Sequence, residues 1–294
     1  MIAGLIFAGL IVSSTSPVKS MAPPPVDTAG GGSFTWGSYE GPEGSRRYKL
    51  YVPPAASQPR RLLVMLHGCT QDPDDFARGT RMNQVAGEKG FMVLYPEQPA
   101  TANPLKCWNW FASAHQKRET GEPALLAAMI RSVVAAHNID STKVYVAGIS
   151  AGGAMAAILG ATYPEIVSAM AIHSGIAYGL ATEMSQALIA MRAPVSDPRA
   201  LAMAVLEAMG ERRKTIPLYV IQGSVDASVN VENAKLLAVQ WRGVNNGFVD
   251  TWIIEGLGHA WSGGSKEGTF TDDKTPDASR AIVEFLLKSE KRGK

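Results

Sequence analysis

Apolar residues gather along this chain in short unbroken runs, with segments of helical spacing between them. The runs are RRYKLYV (46–52), RLLVMLHG (61–68), FMVLYPE (91–97), KVYVAG (143–148), SAMAIHSG (168–175), IPLYVIQGS (216–224) and DTWIIEGLG (250–258). Most are continuously apolar rather than alternating, the pattern of strands buried on both faces of a sheet. In EPALLAAMIRSVVAAHN, Leu126, Met129, Ile130, Val133 and Val134 share one side of a helix, and VENAKLLAVQWRG (231–243) and DASRAIVEFLLKSE (277–290) behave alike. Strand and helix alternating in this way predict an α/β fold, a mainly parallel sheet with helices on both faces. SFTWGSYEG and SRRYKLYVP have no helix between them and read as an antiparallel pair at the start of the sheet. The Ala- and Met-rich stretch from Tyr178 to Arg213 is helical in pattern and reads as a small excursion over the sheet's C-terminal edge.

The first residues differ from the rest. An apolar run from Ile2 to Val12 is too short to span a bilayer as a helix but suits the apolar segment of a secretory signal. No Lys or Arg precedes it, and SSTSPVKSMAP is a poor cleavage site. Pro17 to Gly32 is rich in Pro, Gly, Ser and Ala and reads as a linker. We therefore expect an N-terminal segment and linker over 1–32 and one catalytic domain over 33–294, with no internal repeat. A chain of 294 residues is ample for such a core. The net charge is only +2, with no like-charge block beyond the Lys288–Lys294 tail, which argues against a nucleic-acid surface, a polybasic anchor or a stable membrane span. Secretion or a periplasmic location is expected; with only two cysteines, Cys69 and Cys107, a reduced cytoplasmic enzyme is the alternative.

The chemistry concentrates at KVYVAGISAGGAMA. Gly148, Ser150 and Gly152 form a G-x-S-x-G run between a strand and a helix, where small residues let the chain turn sharply and lift a serine clear of the sheet. A serine nucleophile needs a base, and the base an orienting carboxylate, here in the chain order Ser, acid, His. His259, in GLGHAWSGG, is the candidate base. Asp226, just past the strand end in VIQGSVDASVN, is the candidate acid. Asp250 opens its strand at the wrong edge, and Asp272 and Asp273 follow the histidine. The amides of Cys69, in LVMLHGCTQ, and of Ala151 are the candidate oxyanion donors. His67 would brace that loop through its ring nitrogens. A bridge from Cys69 to Cys107 in KCWNWF would hold the loop still; two separate thiols are the other reading. His173, in AIHSG, either lines the pocket or is a structural histidine. The tryptophans Trp108, Trp110 and Trp261 are either flat walls for substrate or loop packing. No Cys/His cluster or carboxylate set has metal-ligand spacing, so no metal or cofactor is expected.

Taken together, LHGCTQDPDDFARGTRMN, YPEQPA, CWNWF, HQKRETGEP, VYVAGISAGGAMA, HSG, GHAWSGG and TPDASRAIVEFLL resemble, in order, the esterases of the polyhydroxybutyrate depolymerase family, relatives of the feruloyl and acetylxylan esterases. The resemblance implies an α/β-hydrolase fold and a triad of Ser150, Asp226 and His259. It also implies a Cys69–Cys107 disulfide, with Trp108, Trp110 and Trp261 near the substrate groove; His173 joins them as a substrate-binding candidate. The reaction implied is acyl transfer on hydroxyalkanoate esters, polymeric or oligomeric. A polysaccharide side-chain esterase releasing ferulate or acetate is the alternative, and a binding protein on a hydrolase scaffold is the non-enzyme reading. The chain ends directly after a helix, so a separate polymer-binding domain is not expected, which favours oligomers or amorphous polymer.

Overall fold

A computed structural model describes residues 31–54, 60–194, 196–245 and 248–292; the apolar segment and nearly all of the linker expected over 1–32 lie outside the described residues. The chain begins with β1 (Ser33–Gly41), β2 (Gly44–Val52) and β3 (Arg60–Leu66), then α1 (Pro73–Thr80), α2 (Met82–Lys89), β4 (Phe91–Pro96), α3 (Gly121–Ala136), β5 (Ile139–Ile149) and α4 (Ala151–Thr162). It continues through β6 (Ala169–His173), α5 (Met184–Arg192), α6 (Pro198–Met209), β7 (Leu218–Gly223), α7 (Glu232–Asn245), β8 (Val249–Ile254), β9 (Trp261–Ser262), β10 (Thr271–Asp272) and α8 (Ala278–Arg292). Eight strands make one sheet in the order β1-β2-β4-β3-β5-β6-β7-β8, and β9 pairs with β10 apart from it. β1 and β2 form the expected antiparallel pair, β2 runs antiparallel to β4, and every pairing from β4 through β3 to β8 is parallel.

The unbroken apolar runs follow from the side-chain alternation of a strand in a sheet covered twice. Along β3, Leu62, Val64 and Leu66 enter the core that holds Leu126, Met129 and Ile130 of α3, Met155 of α4 and Trp241 of α7. Leu63 and Met65 enter the opposite core with Phe76 of α1, Met82 and Val85 of α2, and Ile282 and Leu286 of α8. Both sets are fully buried.

Two helices absent from the sequence reading, α1 and α2, cover the first stretch after β3. α1 is signalled only locally: Asp72 accepts the Asp75 amide (3.0 Å) and Pro73 occupies the first turn. Arg81, at φ 53°, breaks the chain between the two. At eight residues each, neither is long enough to set up an apolar period. The excursion from Tyr178 is helical as expected. Its α5 reaches the loop after β7, where the Asn230 amide donates to Met191 O (2.8 Å), and the first turn of α7, where Asn233 Nδ2 donates to Ala190 O (3.0 Å), while Val205 and Met209 of α6 join the core of α4 and α7.

Candidate active site

Parallel strands bring their C-terminal ends to one edge, and the loops that leave β3, β5, β6, β7 and β8 meet there. β5 ends in a corner. Ser150 has φ 56° and ψ −122°, a conformation that non-glycine residues rarely adopt, and α4 starts at the next residue. The corner is tied on both sides: Ser150 N donates to His173 O (3.0 Å) and Ser150 O accepts from the Ala154 amide (3.0 Å). The flanking glycines are needed for contact distance. A methyl carbon on Gly152 would lie 2.0 Å from Leu66 O, and one on Gly148 would lie 2.5 Å from the Gly152 carbonyl.

The loop after β3 lies against this serine; a Cβ on Gly68 would sit 3.6 Å from Ser150 Cβ. Gly68 N donates to Gln71 Oε1 (2.9 Å). The amides of Cys69 and Ala151, by contrast, donate to no group among the described residues. Cys69 and Cys107 are joined in a disulfide, and beside it the Thr70 amide donates to Leu105 O (2.6 Å). His67 braces the loop from below. The Gln98 amide donates to its Nε2 (3.1 Å), which leaves the ring proton on Nδ1, 2.7 Å from Gly68 O. Burial drives the His67 pKa down to about 4, so the ring is neutral in this role. Gln98 in turn donates to Cys107 O (2.9 Å) and to the buried carboxylate Glu122 (2.5 Å), which also accepts from the Asn109 amide (2.7 Å). A chain of buried polar groups therefore stands under both halves of the disulfide.

Asp226 lies in the loop after β7, its carboxylate sealed from solvent. Oδ1 accepts the amides of Ser228 (2.9 Å) and Val229 (2.8 Å); Oδ2 accepts Gln222 Nε2 (2.9 Å) and faces His259 Nδ1 at 2.8 Å. Burial pushes the Asp226 carboxyl up, but the hydrogen bond and charge of His259 and the two backbone amides outweigh it and hold the pKa below the usual range. His259 reaches this position because Gly223 has no side chain: a Cβ there would lie 2.1 Å from Leu257 O and 2.6 Å from Gly258 O, in the loop that carries the histidine.

The four substrate-binding candidates, His173, Trp108, Trp110 and Trp261, are all buried. His173 is fully buried, its ring stacked on Trp261 with centroids 5.3 Å apart, its Nε2 accepting the Ser262 amide (3.4 Å) and its Nδ1 3.1 Å from Ser174 Oγ. Burial, then the nearby His259 charge, press its pKa down to about 3. Trp261 is buried as well and donates from Nε1 to Ser279 Oγ (3.0 Å). Trp108 lies in the core and donates to His67 O (3.1 Å); Trp110 is buried in the same core. At 6% exposure or less, these rings fit the packing and structural readings better than that of a substrate wall. The apolar residues that do face outward here are Leu105 (62% exposed), Val225 (60%) and Phe270 (48%), none of which the sequence reading singled out. Val225 adjoins Asp226 in sequence, which is a usable signal; Leu105 and Phe270 sit in polar loops with no motif of their own. Gln71 and Gln222 were also missed, since their partners become visible only in the fold. Among the described residues no group of three or more His, Cys, Asp or Glu could hold a metal ion.

This arrangement places a hydroxyl on a strained corner, two undonated amides beside it and a histidine–carboxylate pair on the same sheet edge, the parts that acyl transfer requires. The family model described as esterase PHB depolymerase matches residues 46–261. The chain belongs to that family. Poly(3-hydroxyalkanoate) depolymerase C of Paucimonas lemoignei is 35% identical over 141 residues, 48% of this chain and 34% of that protein. Feruloyl esterase B of Neurospora crassa is 36% identical over 49% of this chain and 47% of its own length. A probable acetylxylan esterase A of Aspergillus fumigatus is 28% identical over 81% of this chain and 65% of its own. The matched part of the chain thus spans between a third and two thirds of these relatives' own lengths. Among solved structures, an acetyl xylan esterase from Aspergillus awamori superposes with a TM-score of 0.71 at 20% identity, covering 86% of this chain and 99% of that one. An S-formylglutathione hydrolase from Agrobacterium tumefaciens superposes with a TM-score of 0.61 at 17% identity, covering 90% and 97%. The fold of this family member is that of the α/β hydrolases.

Proposed function

We propose that this family member is a carboxylic-ester hydrolase in which Ser150 is the nucleophile, His259 the base and Asp226 the orienting acid. The observation that carries the reading is the 2.8 Å contact between His259 Nδ1 and a buried Asp226 whose remaining acceptor sites are filled. A carboxylate held in this way keeps the imidazole in one tautomer, with Nε2 free to accept a proton. In the first step His259 takes the Ser150 proton as Oγ bonds to the ester carbonyl carbon. The amides of Cys69 and Ala151 stabilise the oxyanion, and losing one such donor typically costs about 2.7–4 kcal/mol. Collapse breaks the bond to the alcohol oxygen, which takes the proton from His259. Water then attacks the acyl-serine with the same assistance and releases the acid.

Hydroxyalkanoate-type esters are the proposed substrates, in amorphous polymer or oligomers, because Leu105, Val225 and Phe270 turn apolar side chains outward at this edge. The second reading, a polysaccharide side-chain esterase, is favoured by the longer alignment with acetylxylan esterases. The disulfide supports an oxidising compartment, secreted or periplasmic. No helix among the described residues is long and apolar enough to cross a membrane. The test compares the protein with Ser150→Ala on amorphous polyhydroxybutyrate with its oligomers, on feruloylated arabinoxylan and on acetylated xylan. Serine-dependent release of 3-hydroxybutyrate alone supports the proposal, with Ser150→Ala reducing turnover by about 10⁴-fold or more. Ferulate or acetate alone moves the enzyme to polysaccharide esters. Cleavage of none of these, or cleavage that survives Ser150→Ala, refutes it.

A further inference from the structure

Phe270 is held in the left-handed backbone region, at φ 50°, where a side chain of its size is an outlier that the surrounding structure must impose. Both neighbours are pinned. The Thr269 amide donates to Asp75 Oδ1 (2.9 Å), its hydroxyl to Asp75 Oδ2 (2.5 Å), and its carbonyl accepts Gln71 Nε2 (3.1 Å). Thr271 pairs with Trp261 in the β9–β10 ladder and donates its hydroxyl to Ser265 O (2.7 Å). The Phe270 carbonyl itself accepts the Trp261 amide at 2.7 Å. All this restraint serves no burial: the ring is 48% exposed. It stands edge-on to the His259 imidazole, with centroids 6.4 Å apart and planes at 74°. An exposed aromatic ring kept in a strained backbone beside that imidazole is placed for contact with a ligand.

We propose that Phe270 is a specificity-determining residue that forms the apolar wall for the alcohol portion of the ester. The proposal rests on the acyl-transfer reading above. His259 must deliver its proton to the leaving oxygen, so the group attached to that oxygen passes close to the imidazole that Phe270 adjoins. The substrates favoured are esters whose alcohol portion is alkyl, aryl or a hydroxyacid chain. A sugar alcohol gains less, because its hydroxyls need partners that a phenyl ring does not supply.

The test holds the acyl group constant and varies the alcohol: methyl, hexyl and phenyl acetate, with the wild type, Phe270→Leu and Phe270→Gly. Glycine adopts the left-handed backbone without strain, so Phe270→Gly is expected to melt at or above the wild-type temperature. In the same variant the ratio of kcat/KM for hexyl or phenyl acetate to that for methyl acetate should fall about tenfold. Phe270→Leu should keep most of the preference. An unchanged ratio in Phe270→Gly overturns the proposal. So does a lowered melting temperature with all three esters slowed equally, the signature of a ring that serves only packing. Hydrolysis of these acetates that persists in Ser150→Ala would instead bring down the acyl-transfer reading, and the proposal with it.

Discussion

Removing the disulfide tests how the loop after β3 is held. The bridge joins Cys69 to Cys107 across a sequence separation of 38. The chain-entropy relation for a closed loop of that length gives about 4 kcal/mol of stabilisation, acting mainly through the unfolded chain. For a domain of this size each kcal/mol corresponds to roughly 2 °C, so the Cys69→Ser/Cys107→Ser double variant should melt about 8 °C below the oxidised wild type. Activity should respond far less. The Cys69 amide is backbone and survives the substitution. The loop also keeps the Thr70–Leu105 bond, the Trp108 bond to His67 O and the His67–Gln98 brace. Losing an oxyanion donor outright would cost about 2.7–4 kcal/mol in the barrier; a loop loosened but still braced should lose less than about tenfold in kcat, roughly 1.4 kcal/mol. The assay is a thermal melt of both proteins with and without reductant, followed by kcat at a temperature well below either midpoint. A double variant that melts within about 2 °C of the wild type would refute the loop-closure reasoning. A fall in kcat of several hundredfold at full folding would refute the claim that the polar brace suffices.

Gly152→Ala should not give soluble, folded protein at wild-type yield, because its methyl would meet backbone at 2.0 Å from Leu66 O and 2.6 Å from His67 O, with no flexible side chain to yield; normal expression and an unchanged melting temperature would contradict the close packing at the corner. The two buried histidines make stability depend on acid. In the folded protein His67 titrates at about 4 and His173 at about 3, whereas an unfolded histidine titrates near 6.5. Between these values the unfolded chain binds more protons than the folded one, so the stability contributed by keeping the rings neutral is complete above about pH 6.5 and drains as the pH falls toward 4. For His67 the full difference is on the order of 3 kcal/mol. Urea unfolding from pH 7.5 to 4.5 should show this decline, and His67→Gln should flatten it; equal slopes in the two proteins would count against the assignment.

The order of strands and helices was legible because the sheet is covered on both faces. Each central strand is then apolar at most positions, and a run such as Leu62 to Leu66 stands out without knowledge of its neighbours. The serine corner was legible in part for a local reason: the contacts that demand glycine at 148 come from the strand-to-helix turn itself, whereas those at 152 come from Leu66 and His67. Chain order and strand ends point to Asp226 and His259 as the candidate acid and base, and the fold sets the two 2.8 Å apart. α1 and α2 escaped because two helices of eight residues carry cap residues but no period. For the tryptophans and His173 the sequence leaves groove and packing both open, because proximity to a motif in sequence says nothing about which way a ring turns. Trp261 is two residues from His259, yet it faces the core and binds Ser279.

Local constraints are written in the chain: apolar runs that must be buried, glycines that let backbones touch, and the order of Ser150, Asp226 and His259 along it. Which side chains face solvent, and which distant groups complete one another, depends on the assembled fold. Gln71 bonds Thr269 across 198 residues, and Phe270 is held out beside His259 only by that join and its neighbours. Direction and long-range partnership depend on how the two covered faces of the sheet close around the loops, and no local pattern encodes that closure.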